Sequence, residues 1–201
     1  MAQMGRPRQF DRDAALTTAM HLFWEHGYES TSLSQLKAGL GISTPSFYAA
    51  FGSKEALFQE AVGCYLQSHG RVNDCLWDES LAPRAAIALA LRRSAAMQCE
   101  AGHPKGCMVA LGVMSASGPG NEAVTSGLAA SRLRTRAGFV ACVERGIASG
   151  ELAAATDAQA LATVFDSFLT GLSTLARDGV PHARMETAIG QVLRLWDAAA
   201  A

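Results

Sequence analysis

The apolar residues of this chain recur at helical spacing over most of its length, and that spacing is what most restricts its fold. Residues 12–26 carry apolar side chains at positions that share one face of a helix; these are Ala15, Leu16, Ala19, Met20, Phe23 and Trp24. No run of Val, Ile or Thr alternates as a half-buried strand requires. We therefore predict an all-α protein.

Helix start and stop signals divide the first part of the chain. Asp11 can cap a first helix over 12–26, and Gly27 can end it in a left-handed conformation. Ser32 and Gln35 then form an S-x-x-Q capping box, in which each side chain satisfies a free backbone N–H. A second helix is predicted to begin there.

A glycine-bearing turn follows the second helix. Gly41 permits a tight turn, and Ser43 or Thr44 can cap a third, short helix that ends at Gly52. Ser53 can cap a fourth helix. Two short helices joined by such a turn predict a helix-turn-helix, the arrangement that places its second helix in a major groove of DNA.

Beyond residue 75 the chain becomes rich in alanine. Gly, Pro and Asp interrupt the helical pattern at five places, which are 78–83, 102–106, 118–120, 150–155 and 178–182. They predict five further helices, so that the whole chain has about nine. We expect an N-terminal three-helix helix-turn-helix domain over residues 1–54 and a C-terminal helical domain over residues 55–201.

Charge does not identify a partner for this chain. The net charge is −1, and residues 1–60 hold five Lys or Arg against six Asp or Glu. Since phosphate binding is mainly a cationic effect, this balance argues weakly against nucleic acid. The 49% of hydrophobic residues among 201 exceeds what one core needs and is typical of an obligate oligomer.

Other features of composition predict a cytoplasmic chain. No apolar run approaches the roughly 20 residues that span a bilayer, and the N-terminus lacks a signal-peptide core. The five cysteines are too few and too scattered for a disulfide framework, so we expect free thiols. No pattern calls for a cofactor.

The segment from Gly27 to Leu57 resembles the TetR/AcrR family of transcriptional regulators. The matching residues lie within about 10–60, and the match is specific only when they are taken together. They are Phe23, Gly27, Tyr28, Thr31, Ser32, Gly41-Ile42-Ser43, Phe47-Tyr48, Phe51, Ser53-Lys54-Glu55 and Leu57-Phe58. The resemblance implies a homodimeric, non-enzymatic regulator with nine helices. It also implies that the homodimer binds double-stranded DNA at a palindromic operator, most simply as a repressor that a small-molecule inducer releases.

The resemblance assigns DNA contacts residue by residue. They fall on Thr31, Ser32, Ser43, Thr44, Ser46, Tyr48 and Lys54, and on Arg6 and Arg8 of an N-terminal arm. Many members carry a cation where this chain has Thr44-Pro45, and a bulky side chain where it has Ala49-Ala50. These departures leave the base contacts of the third helix open.

The same resemblance places an effector pocket and a dimer interface in the C-terminal half. We expect the pocket to be lined by Trp77, Met97, Cys107, Met108, Met114 and Phe168. We expect the interface along 156–177 and 183–197, through Phe165, Leu169, Leu172, Ile189, Val192 and Trp196. A capping box of Thr156 and Gln159 should open the first of these helices.

Two alternatives stay open from the sequence. Cys99, His103 and Cys107 are spaced i, i+4, i+8 and would share a face on an unbroken helix, so the regulator could sense a metal or an oxidant. Against the metal, Gly102 and Pro104 interrupt that helix. A small helical enzyme is the other alternative, although no motif typical of hydrolases, metalloproteases or phosphate-binding loops is found.

Overall fold

A computed structural model of the chain describes residues 11–114 and 122–200, with side chains for 11–112 and 124–200. The described residues form nine α-helices, one 3-10 helix and an isolated antiparallel bridge between Leu152 and Ala200, which confirms the all-α prediction. The first four helices are α1 Arg12–His26, α2 Leu33–Leu40, α3 Thr44–Phe51 and α4 Lys54–Gln67. The 3-10 helix His69–Trp77 follows α4, and then come α5 Pro83–Cys99, α6 Met108–Met114, α7 Glu122–Ser149, α8 Ala158–Arg177 and α9 His182–Ala198.

The N-terminal core joins α1, α2, α3 and α4. Apolar side chains from each helix meet in it with almost no exposure; the largest are Trp24, Phe23, Leu36, Phe47, Phe58 and Tyr65. The core also receives Met97 of α5, Met108 and Val109 of α6, and Val124 and Leu128 of α7. The helix-turn-helix half therefore packs directly on the C-terminal half.

The C-terminal core lies between α5, α7, α8 and α9, with the 3-10 helix packed against α5. Its fully buried residues include Leu76, Ile87, Leu91, Phe139 and Phe165. No described helix is long and apolar enough to cross a membrane.

The start of α8 differs from its predicted capping box. The helix begins at Ala158, and its cap is Asp157, whose carboxylate accepts the backbone N–H of Ala160 at 3.0 Å. Asp is at least as good an N-cap as Thr, so the adjacent carboxylate takes the position predicted for Thr156.

Candidate DNA interface and effector cavity

The turn between α2 and α3 is built as a helix-turn-helix. Gly41 adopts φ +66°, the left-handed conformation that favours glycine, and its N–H donates back to the end of α2. The Ser43 hydroxyl caps α3 by accepting the N–H of Ser46 at 3.3 Å. Phe47 and Phe51 are buried on the inner face of α3, which turns its other face outward.

The outer face of this unit carries most of the predicted DNA contacts. Ser32, Ser43, Thr44 and Ser46 are exposed, and the Tyr48 side chain is 50% exposed. Ser32 also forms its capping box, since its N–H donates to Gln35 Oε1 at 2.7 Å. Small polar groups at the start of α3 and an outward phenol can approach a groove closely.

Lys54 lies beside this face at the start of α4. Its Nζ is 4.3 Å from the centre of the Tyr28 ring, a cation–π contact that holds the ammonium in place. Burial lowers the pKa of Lys54, and the nearby Glu29 charge partly opposes that effect. A half-buried cation at a helix N-terminus is suited to a phosphate.

Lys37 is a residue that the sequence analysis missed. It projects from α2, and its Nζ donates to the Thr44 hydroxyl at 2.8 Å. The cation that Thr44-Pro45 removes from α3 is therefore supplied by the neighbouring helix. The sequence did not predict this contact, because Lys37 and Thr44 are seven residues apart and meet only through the way in which α2 and α3 cross.

Thr31 does not fit its predicted role. Its side chain is fully buried, and its hydroxyl donates to the carbonyl of Gly27 at 2.6 Å. The hydroxyl satisfies a carbonyl at the end of α1, so it faces away from the exposed surface and was wrongly assigned to DNA.

The basic N-terminal arm is only partly described. Arg6 and Arg8 lie outside the described residues. Arg12 does not project freely: its guanidinium donates to the Glu60 carboxylate at 2.7 Å and lies over the Phe51 ring. Arg12 thus ties the start of α1 to α4.

A cavity lies among the 3-10 helix, α4, α5, α6, α7 and α8. Two predicted pocket residues line it, Met97 and Cys107. Three others do not: Trp77 is exposed on the surface, Met108 is buried in the N-terminal core, and Phe168 packs against the C-terminal core. The Met114 side chain lies outside the described residues.

The cavity wall contains polar groups that the sequence analysis missed. Gln98, Ser173 and Asn73 line it, and each has a buried oxygen without a hydrogen-bond partner in the described structure. Gln98 and Ser173 are buried polar residues on helix faces that are otherwise largely apolar, although Ser94 lies beside Gln98. That mismatch was visible in the sequence, but an outward orientation explained it equally well.

Cys99, His103 and Cys107 do not come together. Cys99 Sγ is 3.8 Å from Met185 Sδ, the His103 ring stacks on Trp24, and Cys107 Sγ accepts the Tyr65 hydroxyl at 3.3 Å. In the part of the chain that the structure describes, no three His, Cys, Asp or Glu residues are placed to hold a metal. A metal site built from these three residues was a wrong hypothesis, because the 102–106 loop turns each side chain to a different neighbour.

The loop before α6 connects the cavity to α1. Trp24 Nε1 donates to the carbonyl of Gly106 at 3.2 Å, next to the cavity residue Cys107. Gly106 has φ +82°, and a Cβ there would lie 2.9 Å from the carbonyl of Ser173. Only glycine permits α8 to approach this loop so closely.

Arg177 at the end of α8 strengthens the same junction. Its guanidinium donates to the carbonyls of Trp24 at 2.6 Å and Glu25 at 2.9 Å, both at the end of α1, and to that of Lys105 at 2.9 Å. A cation at a helix C-terminus is favourable, and Arg spreads its donors over several acceptors. Arg177 lies one turn after the cavity residue Ser173.

Three histidines surround Trp24 at this junction. Burial lowers the pKa of His69, and the His103 and His21 rings lower it further, against a smaller opposing effect of Glu100. Burial and His103 also lower the pKa of His21. The folded junction therefore favours the uncharged rings of His69 and His21.

We expect the melting temperature to fall as the pH drops from about 7 to about 5. Where the folded state has the lower pKa, the unfolded chain binds protons more readily, so acid favours unfolding. This stability is present above the ordinary histidine pKa of about 6.5 and is lost as the pH falls through it. His69→Gln should flatten the curve of melting temperature against pH. A curve as steep as that of the wild type would contradict this assignment.

The predicted dimer residues belong to the monomer core. Phe165, Leu169, Leu172, Ile189 and Trp196 are buried within one chain. Of the six, Val192 alone is half-exposed. Five of the six residues therefore belong to the inner faces of α8 and α9, and Val192 stays a predicted interface residue.

A second apolar stripe on the same helices is open. On α8 it follows positions 164, 168, 171 and 175, and on α9 positions 188, 192 and 195. Val164 is 40% exposed, Leu195 45% and Leu175 37%. This i, i+4, i+7 spacing is the one by which helices pair in bundles. We call these seven positions the α8–α9 stripe.

A helix-turn-helix with an exposed polar face, packed on a helical domain with its own cavity, defines a DNA-binding transcriptional regulator. Comparison with known proteins agrees. Residues 15–61 match the bacterial regulatory proteins of the tetR family, and residues 84–190 match the tetracyclin repressor-like C-terminal domain. The chain belongs to the TetR family. Since the family consists of transcriptional regulators, the alternative of a small helical enzyme is rejected.

Several relatives match over nearly the whole chain. The transcriptional repressor ComR of Escherichia coli (strain K12) is 33% identical, covering 96% of this chain and 91% of ComR. A cysteine mutant of the TetR family regulator CifR, solved with a 26-bp double-strand operator DNA, is 44% identical with a TM-score of 0.84; 95% of this chain and 100% of that chain are covered. A TetR family regulator from Agrobacterium tumefaciens is 26% identical with a TM-score of 0.77, covering 94% and 97%.

Proposed function

We propose that this protein is a repressor that binds a palindromic operator as a homodimer and releases it when a small molecule occupies the cavity. The observation that carries the proposal is the exposed polar face of α3, with Lys37 and Lys54 beside it, in a chain whose relatives include a repressor and an operator complex. Such a regulator acts in the cytoplasm.

The DNA contacts follow from which groups are exposed. Lys37, Lys54, Tyr48 and the α2 cap Ser32 hold phosphates, while Ser43, Thr44 and Ser46 at the start of α3 approach base edges. The Arg6 and Arg8 arm adds phosphate contacts. The functional boundary falls near residue 54, with α4 linking the contact surface to the cavity domain.

The dimer forms through the α8–α9 stripe. Two copies related by a two-fold axis would bury the same stripe from both sides as a four-helix interface. The two α3 helices would then lie about 34–36 Å apart and reach successive major grooves. This geometry requires a palindromic site.

The contacts between the cavity domain and the end of α1 would allow a ligand to release the operator. A ligand between α5, α6 and α8 displaces Cys107 and Ser173, which adjoin the contacts of Gly106 and Arg177 to α1. The ligand lowers operator affinity only by as much as it favours the displaced arrangement.

Selection of bound DNA from a random pool tests the proposal as a whole. We expect enrichment of a palindrome whose half-sites are spaced by about one helical turn. Recovery of unrelated sequences only, by a protein shown to be folded and dimeric, would overturn it.

An oxidant-sensing regulator is a second candidate, because Cys107 lines the cavity and its thiol accepts a hydrogen bond from the Tyr65 hydroxyl. Gel shifts with and without hydrogen peroxide separate the two. Loss of operator binding that Cys107→Ser prevents would favour the thiol sensor.

The assignment of phosphate contacts predicts different salt dependences for two variants. Lys54→Ala should lower the slope of log affinity against log salt concentration by about one, because one cation no longer displaces a counterion. Tyr48→Phe should weaken binding of all sequences alike and leave that slope unchanged, since its hydroxyl is neutral. Lys105→Ala, remote from the face, is the matched control. Equal slopes for Lys54→Ala and the control would refute the Lys54 contact.

A further inference from the structure

The cavity contains two deeply buried polar groups without partners. Gln98 of α5 is fully buried with Oε1 unpaired, and Ser173 of α8 is 1% exposed with Oγ unpaired. A third unpaired oxygen, Asn73 Oδ1, comes from the 3-10 helix in the same wall. A buried polar group left unpaired destabilises the folded state, so proteins retain few of them without a function.

The orientation of Gln98 decides what would pair with it. Its Nε2 donates to the Ser94 hydroxyl at 2.7 Å, so the nitrogen is engaged and the oxygen remains as an acceptor. A ligand that pairs with this oxygen must therefore donate a hydrogen bond to it. The Ser173 hydroxyl can donate or accept, so it is compatible with the same ligand group.

The rest of the wall selects against a strongly charged ligand. Val72, Met97, Val109 and Leu169 supply apolar surface. The Asp166 carboxylate is already paired with Arg136 at 2.9 Å. Arg132 also lines the cavity but is partly exposed, so water screens its charge.

We propose that the effector is a small, uncharged alcohol or phenol with an apolar body, whose hydroxyl donates to Gln98 Oε1 and uses Ser173 as its second polar partner. This inference rests on the proposed function, since it names the ligand class of the same cavity. It explains why Gln98 and Ser173 each keep an unpaired polar atom in the wall of one cavity. A bound hydroxyl would also adjoin the turn of α8 that carries Arg177.

Matched probes test the hydroxyl directly. Cyclohexanol, benzyl alcohol and 1-hexanol would each be titrated into the full-length protein beside their methyl ethers, with dissociation constants measured by NMR. The ethers keep the body and an acceptor oxygen but lose the donor. We expect at least one alcohol to bind about tenfold more tightly than its ether, the value of one net hydrogen bond.

The Gln98→Leu variant shows whether that preference comes from Gln98. Leucine has similar volume and removes the unpaired oxygen, but the buried Ser94 hydroxyl loses its Gln98 partner, so the variant should fold and melt near the wild-type temperature. The tenfold preference should disappear in it. Thr174→Ala, on the exposed side of α8, is the control and should keep the preference.

Several outcomes would overturn the inference. These are equal binding of every alcohol and its ether, no binding of any alcohol, an unchanged preference in Gln98→Leu, or tighter binding of benzoate than of benzyl alcohol, which would assign the site to an anion at Arg132. None of these measurements uses DNA. Failure here leaves the operator proposal standing, and failure of operator selection leaves an observed alcohol preference standing.

Discussion

Leu195→Asp is expected to convert the dimer into a folded monomer that no longer holds its operator. Leu195 is 45% exposed on one chain, so a carboxylate there is hydrated in the monomer. In a two-fold dimer each substitution occurs twice, and two carboxylates would face an apolar interface. Loss of the second half-site should weaken operator binding by about 10²–10⁴-fold.

Sedimentation velocity and gel shifts measure this effect. The matched control is Leu133→Asp, because Leu133 of α7 is exposed even more, at 63%, and lies off the α8–α9 stripe. The control should remain dimeric. If Leu195→Asp sedimented as a dimer with wild-type operator affinity, the interface would lie elsewhere.

Phe165→Asp is expected to disrupt the fold of the single chain, unlike Leu195→Asp, which should disrupt only the dimer. Phe165 is fully buried in the chain's own core and stacks near Phe139. A carboxylate there has no partner and should unfold the chain rather than release folded monomers. Loss of the helical circular dichroism signal in this variant, but not in Leu195→Asp, separates core from interface.

Arg177→Ala is expected to loosen the DNA-binding half from the cavity domain. The substitution removes three hydrogen bonds to backbone carbonyls of α1 and of the loop before α6. Allowing for the part-exposed guanidinium, we expect a loss of about 2 kcal/mol in the free energy of unfolding. Operator affinity should fall as well, because the two α3 helices are no longer held at one separation.

Urea unfolding and operator gel shifts measure the two effects. Arg84→Ala is the matched control: its guanidinium also makes two hydrogen bonds, to Asp197, but it joins α5 to α9 at the surface. Water screens an exposed pair of this kind, so its loss should change stability little, and operator affinity should not change. If both variants behaved alike, Arg177 would have no role in coupling the two halves.

Local sequence signals predicted the helix-turn-helix well. Ser32 and Gln35 form their capping box, Ser43 caps α3, and Gly41 adopts the left-handed turn. Each of these depends on atoms within a few residues, so the sequence contains the whole interaction. Lys37 and Thr44 also lie close in sequence, yet their contact depends on how two helices cross.

The dimer face could not be predicted in this way. Helix α8 carries apolar residues on two sides, with Phe165 and Leu172 on one and Val164 and Leu175 on the other. Periodicity shows that both sides avoid water. It does not show which side meets its own chain and which a second copy, since both burials have the same physical cause.

By itself, the sequence determined that the protein is helical, where most helices begin and end, and which family its first sixty residues resemble. These properties follow from spacing and capping, which act over one or two helical turns. Only the tertiary structure decided that Thr31 faces inward, that α8 and α9 leave their second stripe open, and that Gln98 and Ser173 meet one cavity. These results depend on how helices far apart in the chain pack, and many packings bury the same apolar residues equally well.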